Sequence, residues 1–340
     1  MIPVVAVIDS GIDKEYYYKN PDIFVDTVSC VECELGNYHI SKIFPRDLNG
    51  HGTMVVDMIR ALNSKCKFLV VKILNSECLA TTEMLATALE YLKKQPIDVI
   101  HMSIAVTKKD EQFVKISQLC NDLNKQGKMI VCSVENGKDE SFPAELPSVF
   151  GVSGCVFNCC TNFYLNMESC IQFLCDATPS LVTGLKGELY LFSGNSKAAC
   201  AATAKIASIE NYNYTKGDKD LNILLWDEEN TDKFHFIVKG EIPYIRENRK
   251  INLSSYEWCA TDILNDFCQS FLCDKNKILK KRLIDVCDNL SGEMFSMFFL
   301  CVEKRLNLDL RASVLHYADF EWISCLFDYI DKEYKKRKEF

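Results

Sequence analysis

Residues 3–8 form an unbroken apolar run, the pattern of a strand buried on both faces. Three further runs, at 67–74, 98–105 and 128–134, share that character, each rich in Val, Ile, Leu or Met and each following a polar or turn-like stretch. Between them, 82–94 and 110–126 carry apolar residues at helical spacing, and Gly127 supplies a stop after the second. This alternation predicts an α/β domain, a doubly wound parallel sheet with helices on both faces.

Two regions break the alternation. Residues 14–48 show no strong period and contain Tyr16-Tyr17-Tyr18 among several turn formers, so they read as an irregular insertion, either a surface excursion or a flap against substrate. Near residue 210 the character changes. Residues 211–218 read as a linker, 221–245 as two strands or a hairpin, and 254–336 as predominantly helical. Amphipathic helices are expected at 256–272, 290–306 and 320–334, with an irregular bridge at 309–318. The expected division is therefore a domain at 1–210, a linker with a β-hairpin at 211–250, and a smaller helical module at 251–340.

With 48% of its 340 residues apolar, the chain can bury one large core and a second, smaller one, which excludes overall disorder. A net charge of −8, with no basic run denser than Lys335-Lys336-Arg337-Lys338, gives no nucleic-acid footprint. No stretch is long and apolar enough for a membrane span, and the first residues lack the basic and apolar regions of a secretory signal. The cytoplasm is the expected compartment, and the eighteen cysteines read as reduced thiols, many of them buried as small hydrophobes. Cys30-Val31-Glu32-Cys33 is a CxxC and Cys159-Cys160 a vicinal pair. A zinc site needs a second such pair or suitably spaced histidines, so no metal is assigned.

Three segments carry candidate chemistry. In Val7-Ile8-Asp9-Ser10-Gly11, an acid follows a buried strand, and in a doubly wound sheet that edge is where sites collect. Asn49-Gly50-His51-Gly52-Thr53 places an imidazole at the head of an apolar-periodic helix. Ser193-Gly194-Asn195-Ser196-Lys197-Ala198-Ala199 leads into a helix of small residues, with the Ser196 hydroxyl beside the N–H donors and positive dipole of its first turn. Each alone has an ordinary explanation as a turn acid, a cap or an N-cap. Together they give an acid, a base and a nucleophile in the order Asp, His, Ser, the chain order of one of the known triad folds.

The motifs VAVIDSGID, NGHGT and SGNSKAA resemble the three catalytic signatures of subtilisin-like serine peptidases, and the resemblance covers roughly residues 2–209. It implies Asp9, His51 and Ser196 as the charge-relay residues of a serine endopeptidase. It also places Asn136 where the family carries its oxyanion amide, with Ser103, Ile104, Ala105, Ser133, Val134 and Glu135 along the substrate. There are departures. Asn195 stands for the usual Thr, Lys197 for Met, Cys200 for Pro, and Glu135 for the Gly before the oxyanion Asn. A carboxylate at 135 would favour a basic side chain before the cleaved bond, point to solvent or plug the pocket. The alternative is a catalytically impaired module that only captures peptides. Members of the family often bind calcium, but no acidic loop here has ligand spacing, so no cofactor is expected.

The apolar strand begins within the first few residues, so the resemblance is to intracellular members without a folding pro-segment, and a narrow substrate such as a precursor or leader peptide is expected. The last third resembles, weakly, the later helices of an acyl carrier protein. The family's prosthetic serine would fall near Ser291 or Gly292, where the chain reads Asp288-Asn289-Leu290-Ser291-Gly292 and not Asp-Ser-Leu. A helical module that docks a substrate or partner protein, or simply caps the catalytic domain, is the expectation there.

Overall fold

A computed structural model of the chain describes residues 2–32, 37–106, 111–138, 141–209, 215–227, 234–235, 242, 244–287, 290–310 and 314–338. The principal sheet is built from β1 (Val4–Asp9), β2 (Phe24–Glu32), β3 (Tyr38–Ser41), β4 (Lys67–Lys72), β5 (Val99–Met102), β6 (Met129–Ser133), β7 (Phe150–Phe157), β8 (Phe163–Leu165) and β9 (Phe173–Asp176). Their spatial order is β3-β2-β4-β1-β5-β6-β7-β9-β8. Along this order every pairing from β2 to β9 is parallel, and the end strands β3 and β8 run antiparallel to their neighbours. A two-residue strand β12 (Phe234–His235) pairs antiparallel with β7.

β1 sits at the hinge of this topology. The chain leaves it for β2 and β4 on one side and then crosses to β5 on the other. Loops diverge at such a reversal and open a crevice beyond the carboxyl ends of the strands, and β1 ends on Asp9. Side chains alternate across the strand, so Ala6 and Ile8 enter a core shared with helices α3 (Thr82–Leu92) and α4 (Gln112–Lys125), while Val5 and Val7 are buried on the opposite face. Helices α2 (His51–Leu62) and α5 (Gly194–Ile206) pack against each other, and α5 lies on β5, β6, β7 and β9. Ala198, Ala199, Cys200, Ala202 and Ala204 are buried in α5, and their small size lets the helix approach the sheet closely.

The apolar run at 3–8 is β1, shifted by one residue, and the runs at 67–74, 98–105 and 128–134 are β4, β5 and β6, shorter by two to four residues. The stretch 14–48 corrects its expectation as an irregular insertion. It contains helix α1 (Lys14–Lys19) and strands β2 and β3, with β2 in parallel register on β4 from Asp26 to Ser29. Among the described side chains of β2, only Val28, Ser29 and Cys30 are buried, which is why its apolar pattern is faint. Cys33 of the CxxC and residues 211–214 of the expected linker lie outside the described residues. The first part of the expected hairpin is corrected as well: α6 (Lys219–Asp227) occupies it, with Leu221 and Leu225 buried one turn apart, while residues 228–233, 236–241 and 243 lie outside the described residues.

Two compact units divide the chain: Met1–Ala177 with Gly184–Gly187 and Ser193–Ile237, and Thr178–Thr183 with Glu188–Phe192 and Val238–Phe340. The second holds a three-stranded antiparallel sheet of β10 (Ser180–Thr183), β11 (Leu189–Phe192) and β13 (Leu315–His316), in the order β11-β10-β13. Its helices are α7 (Ala260–Ser270), α8 (Lys275–Ile278), α9 (Leu283–Val286), α10 (Gly292–Leu306), α11 (Tyr317–Phe320) and α12 (Ile323–Lys338). Phe267, Phe295, Phe298, Phe299, Phe320 and Phe327 fill its core. The bridge expected at 309–318 is thus partly β13 and the start of α11. Ser291 caps α10, its hydroxyl accepting the Met294 N–H at 3.3 Å, while Gly292 is buried where a Cβ would lie 2.1 Å from the Leu189 carbonyl oxygen. Asp288 and Asn289 lie outside the described residues.

Candidate active site

Asp9 is wholly buried at the end of β1, and the His51 side chain, 20% exposed, opens α2. His51 Nδ1 lies 2.8 Å from Asp9 Oδ1 and 3.0 Å from Oδ2. With the proton on Nδ1 donated to the carboxylate, Nε2 is left as the basic nitrogen. Burial disfavours charge on both groups, but their mutual attraction outweighs it: His51 is raised above the ordinary histidine value and Asp9 lowered below the ordinary carboxylate value.

The turn that presents His51 is organised by Asp47, a residue the sequence reading did not single out. Its buried carboxylate accepts the N–H groups of Asn49, Gly50 and Thr53 and the hydroxyls of Thr53 and Ser10, at 2.7 to 3.0 Å. Ser10 Oγ in turn accepts the Gly52 N–H at 2.9 Å, so the loop after Asp9 and the first turn of α2 are bolted to each other. Gly52 has no alternative here, since a Cβ would lie 2.4 Å from the Gly11 carbonyl oxygen and 3.3 Å from the Asp9 Cβ. The available sequence signal for Asp47 was an acid two residues before Asn49-Gly50 at a helix start.

Ser196 stands in the first turn of α5, half-buried. Its helix meets that of His51 where Cys200 Sγ lies 3.8 Å from the Val55 carbonyl oxygen. Asn136 is brought to the same turn: its Oδ1 accepts the Asn195 N–H at 3.1 Å, which leaves the amide NH₂ as a donor. Gly194, at φ +81°, brings the backbone close, for a Cβ there would lie 3.0 Å from Asn136 Oδ1. Asn195 braces the turn further, accepting the Gly154 N–H at 2.8 Å and donating to the Val134 carbonyl oxygen at 3.0 Å.

Ser103, Ile104 and Ala105 line a cleft of about 430 Å3 together with His51. Leu74, Leu79 and Leu85 line it too, none of them singled out by the sequence analysis. Ser133 and Val134 are buried, and half-buried Glu135 has its N–H held by Ser141 Oγ at 2.9 Å, so these three border the Asn136 turn and not that cleft. A second unforeseen group is His101 on β5. It is wholly buried, with Nδ1 2.8 Å from Thr203 Oγ1 on α5 and Nε2 3.0 Å from Ser103 Oγ, and burial lowers it to about 4, so it is neutral.

A parallel α/β sheet carrying a carboxylate–imidazole pair at a strand end, with a serine in the first turn of a helix that packs on the imidazole's helix, has the layout of a serine hydrolase of the doubly wound type. The model of the subtilase family matches residues 3–231, well over half of the chain. The chain belongs to the subtilase family, and its class is that of the serine peptidases. No protein of curated function gave a match. Among the described residues, no helix is long and apolar enough to cross a membrane.

Proposed function

We propose that this protein is a cytoplasmic serine endopeptidase with a narrow substrate, such as a precursor or leader peptide, which it cleaves through an acyl-enzyme on Ser196. The observation that carries this reading is the Asp9–His51 pair, held at the end of β1 and fixed in the tautomer that leaves Nε2 basic. In the proposed reaction, Ser196 Oγ attacks the scissile carbonyl while His51 takes its proton. His51 then returns that proton to the leaving amine, and water repeats the sequence in reverse roles to release the acyl group. Asp9 holds the imidazole and stabilises its charged form. The Asn136 amide, whose oxygen is already engaged by Asn195, donates to the developing oxyanion together with the Ser196 N–H. The substrate backbone lies along Ser103, Ile104 and Ala105. The second unit is the proposed docking surface for a substrate or partner.

A fluorophosphonate probe tests the central claim. Folded wild type is expected to be labelled on Ser196 and Ser196→Ala not at all, while Asn136→Ala is expected to lose on the order of 10²- to 10³-fold in kcat, the loss known for such a donor in this family. Folded wild type that resists the probe would instead support a peptide-capturing module without turnover.

A further inference from the structure

The residue after Ser196 is a lysine whose side chain runs entirely inside the domain. Lys197 is 0% exposed, and its ammonium pairs with the carboxylate of Asp176, buried at the end of β9. Asp176 also accepts the Phe157 N–H of β7 at 3.3 Å, which ties the pair to two neighbouring strands. A buried ion pair is a poor source of stability, because desolvation of two charges cancels most of their attraction, and apolar side chains of equal volume commonly do as well or better. Its distinctive property is direction: a charged hydrogen bond fixes a long side chain in one place.

The first turn of α5 needs such a fixture. Ser193, its N-cap residue, makes no side-chain cap, and Gly194 precedes Ser196 with φ at +81°. On one side of Ser196, Asn195 is held by Gly154, Val134 and Asn136. On the other side, Lys197 is held by Asp176. We infer that the Lys197–Asp176 pair is a positioning device for the nucleophile, setting the direction of the Ser196 side chain from behind the turn without touching substrate. This rests on Ser196 being the nucleophile.

The test compares the full chain as wild type, Lys197→Met, Asp176→Leu and the Lys197→Met/Asp176→Leu double variant. It reads the rate of fluorophosphonate labelling, kcat and KM on one cleaved peptide, and thermal melting. Each single variant strands one buried charge and is expected to fold poorly. The double variant is expected to melt within a few degrees of wild type, with labelling and kcat lowered about 10- to 100-fold at unchanged KM, as for a small misplacement of a reacting group. A double variant that folds and reacts at the wild-type rate overturns the inference. One that does not fold also overturns it, by making the pair a requirement of the scaffold. Wild type that the probe fails to label would sink the nucleophile assignment itself, a different result from either.

Discussion

His51 and Asp9 move each other's acidity in opposite directions, and each shift has its own pH window. His51 is raised, so folding favours its imidazolium form; that contribution is complete below the ordinary histidine value of 6.5 and is lost as pH rises through the raised value. Asp9 is lowered, so its contribution is present above 3.8 and lost as pH falls through the lowered value. A general base must be neutral, and the acidic limb of kcat/KM is therefore expected above pH 6.5. In Asp9→Asn, burial of the imidazole is opposed only by the weaker pull of Asp47: the limb should move below the ordinary histidine value while kcat falls by roughly 10⁴-fold. A pH profile of wild type and variant on the same peptide checks both, and an unmoved limb would contradict the pairing.

At the level of elements, the join between the loop after β1 and the start of α2 depends on one carboxylate. Asp47→Ala leaves the hydroxyls of Ser10 and Thr53 and three N–H groups without their acceptor, and is expected to lower stability by about 3 kcal/mol, measured by urea unfolding. What the sequence disclosed at this level follows burial. β1, β4, β5 and β6 are apolar through most of their length because helices cover both faces, so each run announces a strand by itself. β2 alternates less cleanly because Val25 is exposed, and its place is fixed by pairing with β4, a partner some forty positions away that no local pattern reveals. α6 misled for another reason. Its Leu221, Ile223 and Leu225 are spaced by two like a strand, yet the buried pair is Leu221 and Leu225, one helical turn apart. Asp9, His51 and Ser196 stand out as candidates because each lies within a compact motif, whereas Asp47 and Asp176 gain meaning only from partners brought near by folding.

For the molecule as a whole, two apolar cores share one chain, and the cysteines are distributed between packing and surface. Cys120, Cys132, Cys155, Cys175 and Cys200 are buried in the first unit, their thiols pushed up by burial and so kept protonated. They behave as small apolar residues, which is how a chain with eighteen cysteines can fill a sheet-and-helix core.

The imidazole of His101, clamped between Thr203 and Ser103, makes the protein vulnerable to acid. Folding keeps that ring neutral down to about 4, while in the unfolded chain it takes up a proton near 6.5. Acidification between those values therefore withdraws about 3 kcal/mol from the native state, before the carboxylate of Asp9 is touched. Urea midpoints should drop steeply between pH 7 and pH 4, and His101→Gln, which cannot titrate, should flatten that slope. Mild acidity would loosen both β5 and the helix bearing Ser196, because the same ring ties them together.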